Sequence, residues 1–231
     1  MSLLYLGGPR DAKGPVPTIM AGYGAFGLSF DPGYFSTGPG RALVPWFERG
    51  GAYVATAIRG GGERGQAWHI GGTGLNKQNS YDDFAAIARD LIASGFTTPD
   101  RLGAYGRSGG GMLTAAVANQ HPELFGAIYI GVPVTDMLRR KEGIGRGQKS
   151  EVGDWDDPEQ LKTILAWSPY HNVQREKPYP AILLMTSTED NQVGAGHARK
   201  FAAKLEEVGA KPLLIEVPDG GHGAPDPVRH P

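Results

Sequence analysis

"LGAYGRSGGGM", residues 102–112, sets a short apolar run directly against a serine flanked by Gly106 and Gly109, Gly110 and Gly111. Glycine is required where a backbone turns tightly or where neighbouring elements leave no room for a Cβ. Gly106-Arg107-Ser108-Gly109-Gly110 matches G-x-S-x-G, the pattern of a sharp turn between strand and helix that presents the serine oxygen. A chain with 36 glycines in 231 residues also produces such a pentapeptide as a plain glycine-rich turn with a solvated serine. The segments around it decide which.

Working outward, "RLGAYG" reads as a strand entering the turn and "GGMLTAAVANQ" as the helix leaving it. "VPTIMAGYG" and "AYVATAI" read as earlier strands, with "RALVPWFERG" between them as a short helix closed by Gly50 or Gly51. "FGAIYIGVPV", "PAILLMTS" and "KPLLIEV" supply later strands, and "HARKFAAKLEEVG" another helix. In "SYDDFAAIARDLIASG" the residues Phe84, Ile87, Ala88, Leu91 and Ile92 form one apolar stripe of helical period, with Ser80 as expected N-cap, Asp82 and Asp83 at the positive end and Gly95 as terminator. Apolar runs without alternation imply strands covered on both faces, and strands alternating with helices imply a parallel sheet. The expectation is an α/β fold with a mostly parallel, doubly wound sheet, forming one domain over residues 1–231. In such sheets chemistry collects in loops at the carboxyl ends of the strands, where Ser108 lies.

Composition narrows the function classes. Lys and Arg total 23 against 24 Asp and Glu, a formal charge of -1, so there is no electrostatic footprint for nucleic acid or an anionic membrane. The absence of cysteine excludes disulfides, thiolate catalysis and cysteine-ligated zinc. The start, "MSLLYLGGPRDAKG", has neither the basic region nor the apolar length of a signal peptide, which favours a soluble cytoplasmic protein. "RGGG" at 59–62 lacks the GK[ST] of a phosphate loop, so its glycines serve backbone geometry. "EVGDWDDPE" reads as a solvated acidic segment; its carboxylates lack ligand spacing, and neither a metal nor another cofactor is expected.

A serine hydroxyl needs a base to take its proton, and the base needs an acceptor to fix its tautomer. Among six histidines, His69, His121, His171, His197 and His230 read as loop, capping, packing or tail residues. His222, in "PDGGHGAP" just after the last strand, is the candidate base. The order Ser, acid, His then places the acid after a strand between them. "PAILLMTSTEDNQV" offers Glu189 and Asp190, and the residues alone leave both open.

"YGAFG", "VATAIRGGGERGQAWH", "NKQNSYDDF", "TTPDRL", "GRSGGG", "NQHPELFGA", "SPYHNV", "TSTEDNQVGAGHARKF" and "GGHGA" resemble, in order, the catalytic domain of the prolyl oligopeptidase family of serine peptidases. The resemblance covers about residues 16 to 225. It implies an α/β-hydrolase fold, Ser108 as nucleophile, Asp190 as the acid in a D-x-x-V pattern closed by Val193, and His222 as the base. It also implies an oxyanion hole formed by the Gly109 amide and the Tyr23 hydroxyl, with Phe26 lining the substrate pocket. The implied substrate is a short peptide cleaved through an acyl-enzyme; the alternatives are a short acyl ester, or an inert domain.

The chain also departs from the family pattern. Gly109 stands where Asn is common after the nucleophile. Gln192 replaces an arginine that grips substrate, and Gln148 falls where an aromatic flanks the proline ring. Strict cleavage after proline is therefore not expected. Family members carry a β-propeller before this domain, and none is encoded in these residues.

Overall fold

The computed structural model describes residues 2–7, 9, 13–29, 43–139 and 148–223. In chain order the main elements are β1 (Ser2–Gly7), β2 (Thr18–Ala21), α1 (Val44–Glu48), β3 (Ala52–Ala57), α2 (Gln66–Ile70), α3 (Gln78–Ala93) and β4 (Leu102–Arg107). They continue as α4 (Gly109–Gln120), β5 (Ala127–Gly131), α5 (Lys149–Val152), α6 (Pro158–Trp167), β6 (Ala181–Ser187), α7 (Gly196–Glu207) and β7 (Leu213–Val217). The sheet runs β1-β3-β2-β4-β5-β6-β7, with β2 to β7 parallel and β1 antiparallel on β3. The expected parallel α/β sheet is present, and β1 is an element the sequence reading did not anticipate.

Apolar strands without alternation are explained by burial on both sides. Met20 and Val54 enter the main core with Phe84, Leu113, Ile128 and Leu184. Their neighbours Ala21, Tyr53 and Ala55 face the other way, against Ile19, Phe47 and Tyr105. Full burial of one such large side chain contributes about 1.5–3 kcal/mol, so the two clusters fix the sheet's register between them.

Helix α3 carries the anticipated stripe, with Phe84, Ile87, Ala88 and Leu91 buried. Its start corrects the expectation. The helix begins at Gln78, so Ser80 lies inside the first turn and is not its cap. The Ser80 hydroxyl instead donates to the carbonyl of Arg59 at 2.7 Å and lies 3.2 Å from that of Gly24. Those tertiary partners outcompete a local cap. Asp83 sits in the second turn and forms a bidentate pair with Arg59, at 2.8 and 2.6 Å. Gly95 does end the helix region, with φ +73° and the Phe96 N–H returning to the Leu91 carbonyl at 3.1 Å.

The acidic segment is a second correction. Asp157 caps α6 by accepting from the Glu159 and Gln160 amides, Trp155 is buried, and Glu151 is only 4% exposed. The Glu151 carboxylate lies 2.9 Å from Lys77 Nζ and 2.9 Å from His69 Nε2. Lys77, 1% exposed, also donates to the Gly24 carbonyl at 2.8 Å. A buried carboxylate between two basic groups thus ties α5 and α2 to the loop after β2. "RGGG" serves geometry as expected: a Cβ at Gly60 would lie 2.2 Å from the Gly24 carbonyl oxygen.

Candidate active site

Parallel pairing brings Arg107, Gly131 and Met185 side by side at the carboxyl ends of β4, β5 and β6. The next residue after β4 is Ser108. Its backbone adopts φ 56° and ψ −116°, a conformation that costs a side chain on the order of 1–3 kcal/mol. The surroundings impose it: the Ser108 N–H donates to the Gly131 carbonyl at 2.9 Å, and the Met112 N–H closes the first turn of α4 onto the Ser108 carbonyl at 3.0 Å. A Cβ at Gly106 would stand 2.0 Å from the Gly110 carbonyl oxygen, so the turn closes only on glycine. The G-x-S-x-G turn is therefore a strand-to-helix elbow, and the amide of Gly109 opens the helix beside the serine oxygen.

His222 sits in a single 3-10 turn, Gly221–Gly223, after β7. Its Nε2 lies 2.9 Å from Ser108 Oγ and its Nδ1 2.8 Å from Asp190 Oδ2. Asp190, with a fully buried side chain, follows β6 and accepts on Oδ1 from the amides of Gln192 and Val193, each at 3.0 Å. Burial pushes the Asp190 carboxyl up, but the Val193 amide, His222 and the Gln192 amide outweigh it and hold it below the ordinary aspartate range. Glu189 is exposed. Of the two acids left open by the residues alone, Asp190 is the one that meets His222.

These groups open onto a cleft of about 390 Å³ lined by Tyr23, Leu28, Tyr105, Arg107, Ser108, Val132, Gln192 and His222, among others. Tyr23 leans over the elbow, since a Cβ at Gly109 would lie 3.1 Å from its Cζ. The Tyr23 ring thus packs against the first residue of α4, next to Ser108 in the chain. Gln192 is on the rim and exposed. Phe26 and Gln148 are not among the lining residues. The Phe26 ring lies 6.4 Å from that of Tyr23, and Gln148 precedes α5 with its Oε1 buried and without a hydrogen-bond partner among the described residues.

The other histidines lie elsewhere. His197 Nδ1 accepts from the amides of Thr135 and Asp136, His171 pairs with Ser168 at 2.8 Å, and His121 borders Arg89. His69 is in α2, not a loop, beside Glu151; His230 lies outside the described residues. Among the described residues no group of three His, Asp or Glu side chains could hold a metal, and no helix is long and apolar enough to cross a membrane.

Sequence reasoning missed Arg107 and Val132. Val132 is 1% exposed, and its φ of 39° is unusual for a β-branched residue; its N–H donates to the Met185 carbonyl at 2.7 Å. No local signal marks that strain, since the hydrogen bond that accompanies it is to β6, more than fifty residues on.

Residues 41–230 match the model of the prolyl oligopeptidase family. An uncharacterized peptidase, y4nA, of Sinorhizobium fredii is 41% identical over 95% of this chain and 30% of its own length. The prolyl endopeptidase of Dictyostelium discoideum is 39% identical over 92% of the chain and 28% of its own length. Among solved structures, one from a study of two prolyl endopeptidases superposes with a TM-score of 0.88 at 37% identity, covering 96% of this chain and 35% of that one. Oligopeptidase B from Leishmania major superposes at 0.85 with 31% identity, over 96% and 33%. The chain thus spans less than a third of the length of these curated relatives.

Proposed function

The chain belongs to the prolyl oligopeptidase family, and from that premise we propose that it is a serine hydrolase whose residues 1–231 form an α/β-hydrolase catalytic domain cleaving short peptides. The observation that carries this reading is the unbroken line Asp190–His222–Ser108, with contacts of 2.8 and 2.9 Å. Ser108 Oγ attacks the scissile carbonyl while His222 Nε2 takes its proton. Asp190, kept ionised by its two amide donors, holds the Nδ1–H tautomer and stabilises the imidazolium. The developing oxyanion is met by the Gly109 N–H and the Tyr23 hydroxyl, donors in place before the charge appears. His222 then protonates the leaving amine, and water repeats the sequence on the acyl-enzyme.

A second reading, hydrolysis of short acyl esters, draws on Gln192. An arginine at that rim position would anchor a peptide carbonyl by a charged hydrogen bond, whereas an ester with no such carbonyl does without it. Alkoxide leaving groups also need less proton donation than amines.

The test is covalent labelling of Ser108 by a fluorophosphonate, with kcat/KM measured on a peptide and an ester panel. Ser108→Ala is expected to abolish labelling and lower turnover by at least about three decades, because such groups act as a unit. Labelling at another residue, or near-normal turnover in the variant, would sink the proposal.

A further inference from the structure

We propose that Arg107, the residue between Gly106 and Ser108, is a positioning residue that holds the loop carrying His222. This rests on the serine-hydrolase reading above.

The loop needs an external tether. Residues 219–223 read Asp-Gly-Gly-His-Gly, and Gly220 and Gly221 have φ of +90° and +56°. Glycine has more backbone freedom to lose than any other residue, so the loop's own sequence does not specify where the imidazole sits. Asp190 fixes the ring at Nδ1 but not the backbone behind it.

Two side chains grip that backbone. Upstream, Ser187 Oγ donates to the Asp219 carbonyl at 3.0 Å, next to the end of β7. Downstream, Arg107 Nη2 lies 3.2 Å from the His222 carbonyl and 3.3 Å from that of Gly223. A guanidinium is charged at all working pH and places several N–H donors in one plane, so one group can span two successive carbonyls.

The route of the side chain is built into the sheet. Arg107 pairs with Gly131, and a Cβ there would stand 2.8 Å from Arg107 Cγ. Gly131 therefore leaves the channel through which the arginine stem crosses β5. Because Arg107 adjoins Ser108 in the chain, the tether ties the base to the strand that carries the nucleophile. Any shift of that strand end is transmitted to both.

The experiment compares wild type with Arg107→Ala, Arg107→Lys and Arg107→Gln by two readouts. Hydrogen exchange of peptides spanning residues 217–223 reports the tether whether or not the protein turns over substrate. Expected is faster exchange there in Arg107→Ala, with β4 and β5 unchanged. Kinetics on a short ester report its consequence. A 1 Å displacement of a catalytic group costs about 100-fold, so a loosened loop should lower kcat by about 10- to 100-fold with KM little changed. Lysine should recover part of the loss, and millimolar guanidinium should rescue Arg107→Ala but not Arg107→Gln.

Unchanged exchange at 217–223, a defect confined to KM, or uniformly faster exchange across the sheet in all three variants would overturn the proposal. Should no variant, nor wild type, hydrolyse any substrate, the hydrolase reading fails while exchange still decides whether Arg107 tethers the loop.

Discussion

Replacing Gly106 by alanine tests whether the elbow, rather than the mere presence of a serine, creates the nucleophile. The added Cβ would stand 2.0 Å from the Gly110 carbonyl oxygen and 2.4 Å from its carbon, both backbone atoms. Real Cβ contacts stay at 3.0 Å or more, so β4 and the first turn of α4 must part by about 1 Å. Ser108, between them, moves with that opening and leaves its 2.9 Å contact with His222. A displacement of that size costs about 100-fold in rate, or about 2.7 kcal/mol of barrier. The overpacking also costs about 1–3 kcal/mol of stability. Gly103, on the same strand, is the internal control. A Cβ there meets its nearest atoms at 3.6 and 3.8 Å, ordinary contact, and removing a glycine from the unfolded chain stabilises by about 0.4–1 kcal/mol where the fold tolerates it. The assay is kcat/KM on a short ester with the rate of fluorophosphonate labelling, alongside thermal unfolding of both variants. Gly103→Ala should match wild type in rate and Gly106→Ala should lose about two decades. Equal activity in the two would refute the reasoning.

Asp190→Asn should lower kcat by about four decades, because an amide presents the wrong hydrogen-bonding face to Nδ1. The stability that the Asp190 carboxylate contributes is present above the ordinary aspartate range and is lost as pH falls through its depressed value. The stability gap between wild type and Asp190→Asn should therefore shrink on acidification, and a gap independent of pH would contradict the electrostatic account. Gln192→Arg should raise kcat/KM for peptides by about 10- to 150-fold, the worth of a charged hydrogen bond of about 1.5–3 kcal/mol, and leave small esters unchanged. With Gln192 in place, a prolyl amide should not exceed its alanyl counterpart a hundredfold; a larger ratio would show the pocket rebuilt by other residues.

What was legible in the sequence is what depends on local pattern. Continuous apolar strands, the stripe of α3 and the glycines around Ser108 are each readable within a dozen residues, and chain order then pointed to His222. What was illegible depends on distant partners. The strand β1 exists because it pairs with β3, not because its six residues announce it. Ser80 carries a capping residue type, yet the Arg59 and Gly24 carbonyls claim it and the helix starts earlier. Glu151 sits in an acidic run that looks solvated, and its partners Lys77 and His69, 74 and 82 positions away, account for its burial. Arg107 occupies an unspecified position of G-x-S-x-G, and its partner loop lies 115 residues on.

The serine and its base are 114 residues apart in the chain. During synthesis at about 5–20 residues per second, some 6 to 23 s separate them, and in that interval the elbow can form with no histidine beside it. The last strand, β7, must add to the sheet edge before His222 arrives. On the proposed reading the nascent chain is thus chemically silent towards its neighbours until nearly all of the described sheet exists, and hydrolysis is expected as a late, abrupt event rather than one that grows with the fold.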